Sequence, residues 1–197
     1  MKSFIVSVFV VLTITLAAID CPAQWEVIGF ADGVNKIDFV DFNHGWLYQW
    51  EYQQFHRTTN AGKSWEIFKP QGFGHLEGRH DMLLHFTDTT NGYALRSLGV
   101  LYKTKDAGYN WDSIAQDMTC FTAIDSLTVF GYGRGILHFS SDGGLQWRTT
   151  DLTADSILSM AMFDRTHGIA CAVGGAVKHT LDGGLMEWDE KIGPVVS

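Results

Sequence analysis

The sequence predicts an all-β chain, a β-propeller of four-stranded antiparallel blades, and three observations predict it. A box of Ser or Thr, then Asp or Asn two places on, then Gly two further on, then Trp shortly after, occurs four times, its Asx residues spaced 46, 36 and 40 residues apart. That interval is the length of one propeller blade. Upstream of each box an apolar run, an Asp/Asn/Gly turn and a second apolar run recur. Aromatics at 13%, with 21 Gly and only 3 Pro, suit many short strands joined by tight turns.

Taken in chain order, residues 1–23 read as a secretory signal peptide. Lys2 supplies the positive start, Phe4 to Ile19 is an apolar or small-residue run, and cleavage is expected after Ala23. The run is short for a membrane span, so the mature chain is expected to have none and to be periplasmic or extracellular. Residues 24–197 form the repeat domain, with blades at about 36–68, 81–114, 118–150 and 156–192. Each blade has two apolar strands around an Asp turn such as Asp41 to Gly45, a third strand ending at the box, and a fourth opened by the Trp. Lys69 to His80, rich in Gly, connects the first blade to the second.

The boxes are Thr58, Asn60, Gly62 and Trp65; Thr104, Asp106, Gly108 and Trp111; Ser140, Asp142, Gly144 and Trp147; and Thr180, Asp182, Gly184 and Trp188. An Asx side chain accepts hydrogen bonds from backbone N–H groups just ahead, and Gly supplies a positive φ, so the pattern builds a turn. The Trp packs over it. Asn60 serves a turn as well as Asp does and would be a poor acid or nucleophile, so these residues are read as structural and no catalytic residue is assigned. The fourth box carries one extra residue before its Trp, which predicts a bulged hairpin.

Two cysteines follow the leader, Cys120 and Cys171; a disulfide between adjacent blades is one reading, and two buried free thiols in apolar strands is the favoured one. His75, His80 and His85, with Glu77 and Asp81 between them, have the donor chemistry of a zinc site. Their five-residue steps match neither a helix face nor a strand face, so no metal is assigned. No cofactor is predicted. His44 and His167 precede Gly at the same repeat position and are assigned to the turn. The balance of 14 basic to 22 acidic residues argues against nucleic acid or an anionic membrane as partner.

In the order apolar strand, Asp-x-x-His/Asn-Gly-aromatic, then Thr-x-Asp-x-Gly-x-x-Trp, residues 24–192 resemble the photosystem II assembly and stability factor family, a branch of the Asp-box (BNR) propellers. The resemblance implies a non-catalytic scaffold that holds a protein partner; the leader makes it an exported one, and unprotected blade edges would favour self-association. Arg96 and Arg134, each in a glycine-containing hairpin, are the thin counterparts of that family's basic surface cluster and the candidate partner-binding residues. The competing reading is a carbohydrate-binding or sialidase-like glycosidase propeller, with a glycan as ligand. Its Arg-Ile-Pro signature is absent, since Pro22, Pro70 and Pro194 follow Cys21, Lys69 and Gly193. Four boxes fall short of the six or seven blades the resemblance implies. A small closed ring, an open arc completed by a partner and a truncated reading frame all remain open.

Overall fold

A computed structural model describes residues 33–73, 82–96, 98–152, 156–184 and 189–190. The expected signal peptide over 1–23 lies outside the described residues, as do His75, Glu77, His80, Asp81 and Trp188.

Each apolar run flanked by turn residues forms a strand, and every four strands form one antiparallel sheet in simple chain order. The first sheet holds β1 (Val34–Phe39), β2 (Gly45–Gln49), β3 (Gln54–Thr58) and β4 (Glu66–Phe68). The second holds β5 (Met82–Phe86), β6 (Gly92–Arg96), β7 (Leu101–Thr104) and β8 (Asp112–Ala115). β9 (Cys120–Ala123), β10 (Val129–Gly133), β11 (Ile136–Ser140) and β12 (Arg148–Asp151) make the third. The fourth comprises β13 (Ile157–Met162), β14 (Gly168–Ala172), β15 (Val177–Thr180) and β16 (Asp189–Glu190). In the first three sheets the fourth strand begins at the residue after the box Trp and not at the Trp itself.

The sheets stack through their first strands: β1 meets β5, β5 meets β9, and β9 meets β13. Among the described residues no strand of the fourth sheet touches the first, so these four blades form an open arc. The hydrophobic core is correspondingly divided among the three spaces between successive blades. Between the first and second, Trp46 stacks on Phe86 with ring centroids 3.7 Å apart and donates its indole N–H to the Ala107 carbonyl at 2.9 Å. Phe73, from the connection between those blades, packs against Tyr48, Phe55, Tyr102 and Trp111. Tyr93 and Phe121 help close the second space, and Phe130, Ile157 and Met160 the third.

Turns at one end tie each blade together. The box hydroxyl of Thr58, Thr104, Ser140 or Thr180 donates to its Asx side chain and accepts the Gly N–H at 2.7 to 2.9 Å. Asn60, Asp106 and Asp142 also accept the N–H four residues ahead, of Ser64, Asn110 and Gln146. The two residues after each Asx adopt positive φ, for example Ala107 at 61° and Gly108 at 95°, which is where the pattern needs its Gly. A second carboxylate turn precedes each β2-type strand. Asp41, Asp88, Asp125 and Asp164 each accept the N–H groups two and three residues on. The two turns are joined by a backbone bond repeated in all four blades, Ala61 to Asn43, Ala107 to Thr90, Gly143 to Leu127 and Gly183 to Thr166.

Candidate binding groove

The carboxylates at the turn end are committed to their hydrogen bonds. Burial pushes the Asp106 carboxyl up, but donors from Asn110 and Thr104 outweigh it and hold it below the usual carboxylate range. The backbone N–H of Gln146 does most to lower Asp142, that of His167 to lower Asp164, and the His44 ring to lower Asp41. His44 and His167 sit 2.8 Å from their Asp partners, inside the turn as their repeat position implies.

The box tryptophans do different work. Trp111 is buried and donates to its own turn at the Gly108 carbonyl, whereas Trp147 reaches into the preceding blade to the Ile114 carbonyl at 3.1 Å. Trp65 meets Phe39 edge-on at 6.3 Å. The expected bulge before Trp188 lies outside the described residues.

The opposite end of the blades carries a groove. It runs across the second, third and fourth sheets between Leu83, Met118, Thr119, Tyr132, Arg134 and Leu158. Two adjoining hollows of about 410 and 420 Å³ share Thr119 and Leu158, and the exposed Leu83 and Leu158 give it an apolar floor. Arg134 (φ 53°) and Gly135 (φ 81°) turn the β10–β11 hairpin with two left-handed residues, which projects the Arg134 guanidinium into solvent. Asp117 holds it at 2.6 Å, so the rim is polar but locally neutral.

Arg96, read as part of a surface cluster, lines the hollow beside Leu83 and Met118 from a buried position. Only 5% of it is exposed, and its guanidinium lies over the rings of Phe73, at 4.8 Å, and Tyr102, at 5.8 Å. It packs the space between two blades, because the connection carrying Phe73 folds over the hairpin from which it extends. Burial lowers its pKa. The cysteines also differ from the favoured reading. Both are free thiols, Cys120 is buried with its pKa pushed up to about 11 by burial, and Cys171 is exposed.

Lys103 belongs to no motif that marks it in the sequence. It is buried and donates to the Ser126 carbonyl at 2.6 Å and the Gly143 carbonyl at 3.3 Å, both on the next blade, with its ammonium 5.3 Å from the Tyr93 ring. Its only signal is position, since Arg57 holds the same place before the box of the first blade. Asp38 acts likewise between the first two blades, accepting the Phe86 N–H and sitting 3.7 Å from His85 Nδ1. The hydrogen bond to Asp38 raises the His85 pKa. A raised folded pKa contributes stability that is full below the unfolded value of about 6.5 and is lost as pH rises through the folded value. Thermal unfolding should therefore show the wild type gaining over His85→Gln on acidification from about pH 8 to 6. A difference independent of pH would remove His85 from the blade contact.

Among the described residues no group of three or more His, Cys, Asp or Glu is placed to hold a metal, and no helix is long and apolar enough to cross a membrane.

No protein-family model matches the chain, and no curated protein sequence does. Solved structures do match. YCF48 bound to D1 peptide is 20% identical, with a TM-score of 0.57 over 80% of this chain and 52% of that one. YCF48 from Cyanidioschyzon merolae is 16% identical, with a TM-score of 0.61 over 83% and 60%. The GH74 xyloglucanase from Xanthomonas campestris is 15% identical, with a TM-score of 0.58 over 83% and 31%. This chain thus covers between half and three-fifths of the two YCF48 chains. At these identities the likeness establishes the fold, and that fold is the β-propeller.

Proposed function

We propose that this chain is an exported, non-enzymatic scaffold that binds an extended segment of a partner protein, in the manner of the photosystem II assembly factors it resembles. The observation that carries the reading is the groove shared by three blades, with its apolar floor of Leu83 and Leu158 and the projecting Arg134 hairpin. Such a surface suits alternate apolar side chains of an extended peptide, with a polar rim to orient it. YCF48, which shares the fold, has been solved with a bound peptide. The leader over residues 1–23 supports export.

A glycan-directed enzyme is the second reading, favoured by the likeness to a xyloglucanase. Glycoside hydrolysis generally needs two facing carboxyl groups. Among the described residues lining the groove none carries one, and Asp117 beside it is held by Arg134.

The test is selection of 12-residue peptides from a displayed library on the immobilised chain, followed by titration of the selected peptides against Leu158→Glu and Arg134→Glu. Leu158→Glu should weaken them by about tenfold or more, and Arg134→Glu should do so for peptides with acidic residues. Binding indifferent to both substitutions would remove the groove. Hydrolysis of xyloglucan by the purified chain would move the reading to the enzyme.

A further inference from the structure

The residue that follows the Gly or Val opening each second strand occupies one repeat position, taken by Trp46, Tyr93, Phe130 and Ile169. Each lies opposite the inner-strand residue just before the last paired one, Asp38, His85, Thr122 and Ala161. In the first three blades this position is covered by the next blade. Trp46 stacks on Phe86, Tyr93 approaches Phe121 at 6.4 Å, and Phe130 packs with Met160. Their exposures are 0%, 0% and 1%, whereas Ile169 in the fourth blade is 55% exposed. Strand β6 and strand β10 are buried at all five positions, while β14 alternates buried and exposed. The fourth blade therefore presents an open apolar face of Ile169, Cys171, Val177 and Leu181, with a groove of about 440 Å³ beside Phe163.

The first blade is open on its other side. Phe39 and Ile37 occupy the repeat positions of Phe86 and Leu84, two residues that pack in the space between the first two blades. Both are exposed, Ile37 at 63%. The two open faces are thus the two halves of the interface this chain already makes three times within itself. Stacking Ile169 on Phe39 and Ile37 would repeat Trp46 on Phe86, Tyr93 on Phe121 and Phe130 on Met160.

We infer that two copies of the chain pair head to tail, the fourth blade of each seated on the first blade of the other. The occupant is a second copy because its first blade presents the matching surface in the register the repeat sets. Two copies bring eight sheets, which is within the range of about 4–8 blades over which propellers close. A head-to-tail contact that closes after two copies buries both open faces of each and ends the assembly, whereas one that failed to close would grow as a filament. The inference goes beyond the peptide-binding reading and does not depend on it, since the groove lies at the ends of the blades and the contact on their flat sides.

Sedimentation equilibrium of the full chain tests it with two charge-introducing variants. Both positions are exposed in the single chain, so Ile37→Lys and Ile169→Glu should leave the fold intact. The wild type should be a dimer, and each variant alone should dissociate by at least about a hundredfold more readily. An equimolar mixture of the two should dimerise again, because one interface then pairs two unmodified faces and the other pairs Lys with Glu. A monomeric wild type at all concentrations would overturn the inference, as coverage of a face by another part of the same chain would give. Loss of the dimer in Ile169→Glu alone would also overturn it, since that is a back-to-back pairing of fourth blades.

Discussion

Replacing Trp46 with alanine should destabilise the fold by about 3–5 kcal/mol, the largest effect expected of any single truncation here. The side chain is wholly buried between two blades, so its removal leaves a cavity that neither sheet can close without moving the other. It also ends the stack on Phe86, the contact with the Arg57 guanidinium 5.9 Å from the ring, and the indole hydrogen bond to the Ala107 carbonyl. For a domain of this size the thermal midpoint should fall by roughly 10 °C. Trp46→Phe separates the components. It keeps an aromatic ring on Phe86 and loses the hydrogen bond, for a cost nearer to about 1–2 kcal/mol. Equal losses in the two variants by denaturant titration would place the energy in the hydrogen bond instead of the packing.

Gly133→Ala should cost about 3 kcal/mol although it adds a single methyl group. A Cβ at this position would fall on the carbonyl of Asp117, inside contact distance, with the Met118 Cα also near at 2.9 Å. The obstruction is backbone, so no rotamer change relieves it and the segment entering the third blade must shift away from β10. That segment carries Asp117, the partner of Arg134, and leads into Met118 and Thr119 of the groove. The variant should therefore lower stability and peptide binding together. Arg134→Ala, on a largely exposed pair, should change stability by no more than about 0.5 kcal/mol while altering the groove rim. A Gly133→Ala protein as stable as the wild type would show that the approach of the two segments is not required.

The turns and their order were legible in the sequence because both are local. A box such as Thr104-x-Asp106-x-Gly108 closes within a few residues, so its hydroxyl, carboxylate and left-handed Gly need no distant partner to specify them. The same holds for the turn of Asp41 with His44, and antiparallel strands joined by such turns here pair in simple chain order. Which faces are buried was not local. Trp46, Tyr93, Phe130 and Ile169 share one repeat position and are all apolar, yet three are buried and the fourth is open, because cover comes from the next sheet and not from the strand itself. Cys171 is exposed for the same reason, and Arg96 is buried because Phe73 folds over it from a connection that reads as a loop. The local hydrogen-bonding code thus determined the repeat and its turns, while the stacking of one sheet on another decided the core, the groove and the two open faces.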